Sequence, residues 1–456
     1  MKILLISANV AITPYPVYPL GLSMIAGALK KAGHDVCQFD FLASGESLDT
    51  LKESIKKLAP QIIGISIRNI DNVNFLNTKQ YMDAVKKIVE TVRSQSKSPI
   101  ILGGSGFSIL PEIILRETAA DYGVVGEGEK LIVEFAKNAE QGIYPGQKLL
   151  RGNYCQQGDD LSSALYDPQI MPFYLKRGNS GSVQSKRGCS QRCVYCTYPY
   201  LEGVSIRCRD PRAVVADIQL LIDTYQIKHL FFTDSVFNDR EGNFRAVVKE
   251  MIKRNIFIPW TGFFQPVGIN EEDIELMKRT GLKAVELGSD ASTDTTLRRI
   301  GKHFLFKDIV AANDLFNQHN IAAAHYFMFG VPGETVETVR EGIENIKSLA
   351  RTVCFIFMGV RIFPGTPLAQ LADREVMLSS GNNLLNPVYY ISPGLEAQWL
   401  EKTLTLSFSG LRNCIFPPDS MERNISLLHE MGYSGPLWDM LIAASRGDRR
   451  KKSPSM

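Results

Sequence analysis

The sequence predicts an α/β protein: an N-terminal doubly wound (Rossmann-like) domain, then a (β/α)6 partial barrel, with a helical C-terminal region. Three observations carry this. Short apolar runs alternate with helical patterns over about the first 140 residues. The same strand-then-helix rhythm resumes after a stretch broken by Pro145, Gly146, Gly152, Gly158 and Pro168. The 456 residues, 45% hydrophobic and 22% charged, suffice for two or three cored domains with a solvated surface. The boundaries read as 1–140, a linker over 141–180, the barrel over 181–370 and a lid-forming helical region over 371–456.

In order, Lys2–Ala8 is a buried strand, too short and too soon followed by Asn9 and Pro14 to be a signal peptide. Leu20–Lys31 is a helix, Asp35–Phe41 a strand, Leu48–Leu58 a helix and Ile62–Ser66 a strand. Tyr81–Gln95 is helical and Pro99–Gly103 is a fourth strand. Such sheets bind ligands beyond their strands' carboxyl ends. The loops there are Asn9–Pro19, Ser66–Asn72, Gly103–Phe107 and Gly123–Glu129. No G-x-G-x-x-G follows the first strand and no Walker loop occurs, which argues against dinucleotides and nucleoside triphosphates. The small residues at Gly103–Gly106 let backbone approach a large flat ligand.

In the second unit Ser182–Lys186 is the first strand, and Pro211 opens a helix that runs to Tyr225. His229–Thr233, Phe257–Gln265, Ala284–Leu287, Ala322–Phe329 and Val353–Ile362 follow as strands, with chemistry expected at their carboxyl ends. After the first strand come Cys189, Cys193 and Cys196, spaced C-x3-C-x2-C. Three close thiolates with no fourth nearby suit an iron–sulfur cluster with an open iron better than a structural zinc, which closes with four ligands. Lys186, Arg187 and Arg192 flank the thiolates and would offset their charge. Gln265 either faces a ligand or caps its strand. Arg361 faces the mouth or the helical layer, depending on register, and His325 reads as a core histidine.

Cys37, Cys155, Cys208, Cys354 and Cys414 share no spacing and read as plain thiols in a reducing cytoplasm. No run approaches the length of a membrane span. A net charge of +3 argues neither for nor against nucleic acid, because steering needs a patch and not a total, and no nucleic-acid partner is expected. The basic run Arg446–Lys452 reads as a solvated end, and Leu437–Ala444 as an amphipathic segment docked on the barrel.

The cysteine spacing, with Tyr195 before the third Cys, resembles the radical S-adenosylmethionine (SAM) superfamily. Arg207 and Arg209, Gly288–Ala291 with Lys302, Gly330–Glu334 and Pro364–Pro367 are similar to its later segments; Asp290 stands where Glu is common. Tyr18–Gly21, Ile65-Ser66, Gly103-Gly104 and Val124–Glu129 resemble the cobalamin-binding domain that precedes many such barrels. The D-x-H-x-x-G of cobalt-ligating relatives is absent, and His34 reads as structural.

The resemblance implies a [4Fe-4S] cluster on Cys189, Cys193 and Cys196. It implies SAM near Tyr195, Arg207, Arg209, Asp234, Ser289, Asp290, Gly333, Glu334 and Arg361. Cobalamin would lie near Leu20, Gly21, Ser66, Gly103, Gly104, Gly126, Glu127 and Gln265. The implied activity is reductive SAM cleavage to a 5'-deoxyadenosyl radical and cobalamin-dependent methylation of an unactivated carbon. Alternatives are a cobalamin-dependent cyclase, ring-contraction or lipid-biosynthesis enzyme without methyl transfer, and a corrinoid or SAM sensor without turnover. The implied partners are a small-molecule or lipid-type substrate and a flavodoxin- or ferredoxin-like electron donor.

Overall fold

The structure is a computed structural model describing residues 1–12, 15–152, 158–378 and 381–443; Pro14, Cys155, Ala444 and the basic run Arg446–Lys452 lie outside the described residues. The first sheet is built from β1 (Lys2–Ser7), β2 (Asp35–Asp40), β3 (Ile62–Ser66), β4 (Ile100–Gly103), β5 (Tyr122–Val125) and β6 (Leu149–Arg151). All pairs are parallel, in the order β2-β1-β3-β4-β5-β6. β1 shows why both faces are covered. Ile3 and Leu5 pack with Leu22, Leu29 and Phe135 on one side. Leu4 and Ile6 pack with Leu51, Val85 and Ile88 on the other. The order reverses between β1 and β3, so the loops after these strands part and leave a crevice for a ligand.

Two readings of this half change. Gly123–Val125, taken as part of a loop, belongs to β5, whose short Val-Val run is apolar enough to pair as an inner strand. The stretch read as a linker supplies β6, which forms the sheet edge.

The second sheet contains β7 (Ser180–Val183), flanked by a ribbon of β8 (Lys186–Arg187) and β9 (Arg207–Cys208), then β10 (His229–Phe232) and β11 (Trp260–Phe264). β12 (Ala284–Asp290), β13 (Ala322–Phe329) and β14 (Val353–Met358) follow. A second ribbon pairs β15 (Val360–Arg361) with β16 (Tyr389–Tyr390), and β17 (Cys414–Ile415) comes last. The parallel order β17-β14-β13-β12-β11-β10-β7 is the partial barrel plus one short strand from the C-terminal region. Val285 and Leu287 face the outer helices, in one core with Ile218, Val248 and Phe316. Two of the cysteines without shared spacing meet here: Cys354 and Cys414 are register partners, both as free thiols.

The C-terminal region is a floor more than a lid. Gly435 N–H bonds Gly178 O (3.1 Å) just before β7, and Lys283, just before β12, pairs with Asp439 (3.0 Å). Leu437, Trp438, Leu441 and Ile442 bury their apolar face against Ala284, Ala322 and Phe355, as the amphipathic pattern predicts. The region also meets the first domain, through β16 and farther on, where Asn77 donates to Asp419 (2.8 Å) and Tyr15 lies edge-on to His429.

Arg361 is corrected. Gly359, with φ of 72°, turns the chain after β14, so Arg361 belongs to the β15 ribbon and not to the sixth barrel strand. Its Nε donates to Asp71 Oδ2 (2.9 Å), and its other nitrogens donate to the carbonyls of Ile362 (2.6 Å) and Leu384 (2.8 Å). Both partners are buried, so the pair clamps the two domains, and Arg361 is committed to Asp71 and two carbonyls. Breaking one side strands a buried charge. Asp71→Ala is expected to cost about 3 kcal/mol in denaturant unfolding, and adding Arg361→Met should recover part of that loss.

Candidate functional site

The cysteine loop leaves the barrel at β7 and is tied at both ends, because β8 and β9 pair across its base. Asp234, at the end of β10, is wholly buried. It accepts the backbone N–H groups of Ser185 (2.6 Å) and Lys186 (3.2 Å) and the Ser185 hydroxyl. It therefore aims the strand that launches the loop, and is removed from the SAM side. Lys186 turns away from the thiols to Phe237 O (2.6 Å) and Asp239 (2.8 Å). Inside the loop, Cys189 N–H bonds Gly203 O (3.0 Å) and Val194 N–H bonds Ile300 O (3.0 Å). Gly188 has φ of 96°, and a Cβ there would come within 2.1 Å of Ser205 O.

Among the described residues, no three Cys, His, Asp or Glu side chains converge as a single metal ion requires. Thiolates that each ligate a different iron need no such convergence, and the donor set fits a cluster. Burial raises the Cys189 thiol, and burial with the charges of Cys193 and Cys189 pushes Cys196 up to about 12. The cation at these sulfurs is Lys302: its ammonium pairs with Asp290 and reaches Cys193, and the two hold it charged against burial. Arg187 and Lys186 are engaged elsewhere, and Arg192 is exposed. The predicted neutralisers are thus replaced by a residue more than a hundred positions downstream.

Asp290 stands at a bulge ending β12, in the left-handed region at φ of 62°. Its Oδ2 accepts the Tyr195 hydroxyl (2.6 Å) as well as meeting Lys302. Asp290 therefore stands beside Tyr195 and the cysteines. Gln265 accepts from Gln191 of the loop (3.0 Å) and donates to Asn238 O (3.1 Å), so it braces the cysteine loop against β11.

Several residues expected on the SAM side bond other parts of the protein, and of these Arg209 keeps a buried Nε–H without a partner among the described residues. Ser289 Oγ bonds His325 Nδ1 (2.8 Å) in the core, where burial lowers the His325 pKa to about 3 and keeps the ring neutral. Arg209 pairs with Asp217 (2.7 Å) and Gln184 O (2.9 Å). Arg207 is bidentate to Glu127 (2.7 and 2.6 Å), which joins a residue of the SAM set to one of the cobalamin set. Arg187 pairs with Glu129 (2.6 Å); burial would raise this carboxyl, but the guanidinium holds it low. Glu334 folds back onto the N–H groups of Gly330 and Val331, and Gly333, at φ of 75°, makes the turn that allows it.

On the cobalamin side, the place of a Cβ at Gly21 is free of protein atoms, and at Gly103 it meets only Val124 O, 3.9 Å away. Gly104, at φ of 96°, packs instead on Ile67 and Ser66, which keeps the β3 and β4 ends close. Gly126 N–H is held by Ser108 Oγ (2.9 Å), and Leu20 opens its helix beside Gly21. Arg68, just after β3, and Tyr198, just after the cysteines, are exposed. Those surfaces fit a large flat ligand in the crevice between β1 and β3. His34 lies at the amino end of β2, beside Met1 and Glu140, remote from that crevice.

A B12 binding domain family model matches residues 6–136, and a Radical SAM superfamily model matches residues 183–346. The chain belongs to the radical SAM proteins that carry a B12-binding domain. Its cofactors are the [4Fe-4S] cluster, SAM and cobalamin. The tryptophan 2-C-methyltransferase of Streptomyces laurentii is 24% identical, over 82% of this chain and 76% of its own length. The anaerobic magnesium-protoporphyrin IX monomethyl ester cyclase of Rubrivivax gelatinosus is 24% identical, over 71% of this chain and 60% of its own. Among solved structures, the radical SAM methyltransferase TsrM from Kitasatospora setae, with tryptophan and a SAM analogue bound, superposes with a TM-score of 0.85. It is 22% identical and the match covers 99% of this chain and 100% of that one.

Two outcomes follow for this radical SAM protein. Arg207→Leu and Glu127→Gln should each loosen the two cofactor domains, and a double-mutant cycle on thermal stability should give a coupling of about 2 kcal/mol. Burial raises Glu334 to about 8, so the folded protein holds a proton there that the unfolded chain releases at its ordinary, lower value. This contribution to stability is present at low pH and is lost as pH rises through about 8. The wild-type Tm should fall more steeply between pH 6 and 9 than that of Glu334→Gln.

Proposed function

We propose that the protein is a cobalamin-dependent radical SAM methyltransferase acting on a carbon of a small molecule. The observation that carries this reading is the seam in which Arg207 and Arg187, at the base of the cysteine loop, bind Glu127 and Glu129 of the first domain. It sets the two cofactor surfaces against each other at one domain interface, where ligand sites are usual. When bound, the cluster supplies an electron, SAM its adenosyl and methyl groups, and cobalamin a methyl carrier. Cys189, Cys193 and Cys196 hold the cluster, and Lys302 balances thiolate charge beside it. Asp290 and Tyr195 present a carboxylate and a ring to the SAM side. The floor around Trp438 closes the far end of the barrel, so a substrate enters from the domain interface.

Methyl transfer is favoured by the methyltransferase that aligns over 82% of the chain. The aligned cyclase supports the second reading, radical ring chemistry without methyl transfer. The electron donor is a flavodoxin- or ferredoxin-like protein, and the setting is the reducing cytoplasm.

The test is anaerobic turnover of protein reconstituted with iron, sulfide and cobalamin, given SAM and dithionite, with products read by mass spectrometry. Methyl transfer predicts S-adenosylhomocysteine, with 5'-deoxyadenosine if a substrate hydrogen is abstracted; Cys193→Ala should form neither. Deoxyadenosine alone would favour the cyclase reading. Neither product, from protein that retains its cluster, would overturn the enzyme and leave a sensor.

A further inference from the structure

Inside the barrel, above its floor, is a polar pair that none of the cofactor assignments uses. Glu286 and Phe263 are register partners on β12 and β11, so their side chains share the inner face. Tyr326, two residues beyond the Ala324 that partners Glu286, also points inward and donates its hydroxyl to Glu286 Oε2 (3.0 Å). Phe263 is 38% exposed although its strand lies in the middle of the sheet, and Phe231, edge-on to it at 5.2 Å, is half-buried. Half-exposed aromatic rings on the inner face of a floored barrel border open space. The Trp438 indole N–H faces Glu286 outside hydrogen-bond geometry; it is buried and unpartnered.

We infer that this chamber is the acceptor site and that Glu286 recognises a flat aromatic substrate through a ring N–H. The inference deepens the methyltransferase reading and rests on it for what the chamber is for. A carboxylate accepts about four hydrogen bonds and Tyr326 fills one, which leaves room for a substrate donor. The walls offer ring faces and edges at stacking distance. The titratable groups facing Glu286 are Tyr326 from β13 and Tyr15 from the first domain, and Arg68 in turn faces Tyr15. Burial raises Glu286 to about 7, so the carboxyl is an ionised acceptor above that pH and a protonated, weaker one below it.

The probes are indole, which has the ring N–H, and benzofuran, its isostere without one. Each is dialysed against full-length protein reconstituted with cluster and cobalamin, without SAM, so the result does not depend on methyl transfer. At pH 8 indole should be retained about tenfold more tightly than benzofuran, the size of a charge-assisted hydrogen bond. The preference should shrink toward pH 6, while benzofuran retention stays level. Glu286→Gln should reduce the preference at least about threefold and remove its pH trend. Should that variant not fold, Phe263→Trp, which fills the chamber, should release both probes. Equal retention of the probes by the wild type at pH 8, or no retention of indole, overturns the proposal. So does an unchanged preference in Glu286→Gln or unchanged retention in Phe263→Trp.

Discussion

The structure depends on the charged seam between Arg207 and Arg187 on one side and Glu127 and Glu129 on the other. All four side chains are nearly buried, and charges brought out of water are tolerated only when paired and hydrogen-bonded. Such pairs are a poor source of stability compared with apolar packing of equal volume. They impose direction: a bidentate guanidinium–carboxylate contact fixes distance and plane together. That suits an interface whose two surfaces must meet in one register. Asp71 with Arg361 repeats the device at another point of contact, and the Tyr174 hydroxyl on Asp40 (2.9 Å) gives a third. The domains are held at several points by polar contacts, alongside apolar ones such as Tyr18 and Met24 in the barrel core and Phe75 edge-on to Tyr389.

The same logic explains which parts of the molecule were legible in the sequence. The first sheet was readable nearly strand by strand, because a parallel strand covered on both faces is a continuous apolar run and its helices are amphipathic. Leu20–Lys31 and Leu48–Leu58 appear as read. β6 escaped because a three-residue edge strand next to Pro and Gly carries no periodicity. β15 escaped because the apolar run continues through Gly359, and only the turn there moves Arg361 off the barrel strand. The three cysteines were plain from spacing. The roles of the charged residues were not, since a local sequence does not say which distant carboxylate a guanidinium will meet. Arg207, Arg209 and Asp234 look from the sequence like ligand contacts and are used as braces. Lys302 carries the charge expected of Lys186 and Arg187, and its only sequence signal is its place in a segment similar to the radical SAM pattern.

Asp290 shows what that bracing achieves. A non-glycine residue at φ of 62° is unfavourable on its own, and a shift in strand register occurs next to it. Lys302 and the Tyr195 hydroxyl hold its carboxylate from two sides, and Tyr195 is itself part of the cysteine loop. The end of β12 and the loop from β7 therefore cannot move independently. Strain at this point is a consequence of tying two strand ends to one carboxylate at the barrel mouth.

The floor closes the barrel's amino end. A partial barrel leaves its inner face uncovered, and something apolar has to fill the amino end. Here Trp438, Leu441 and Ile425 pack on the small residues Ala284, Ala322 and Ala324. Small residues at the starts of the strands and aromatic residues farther along them set the depth of that plug. Below, the side chains leave room for residues 437–442; above stand Phe263, Tyr326 and Glu286, with Tyr326 packed on the plug and the Trp438 indole facing Glu286. One taper in side-chain size thus seals the bottom of the barrel, and the inferred acceptor chamber lies above that seal. Chemistry on an unactivated carbon needs that geometry, because a reactive centre at the mouth then meets the substrate before it meets water.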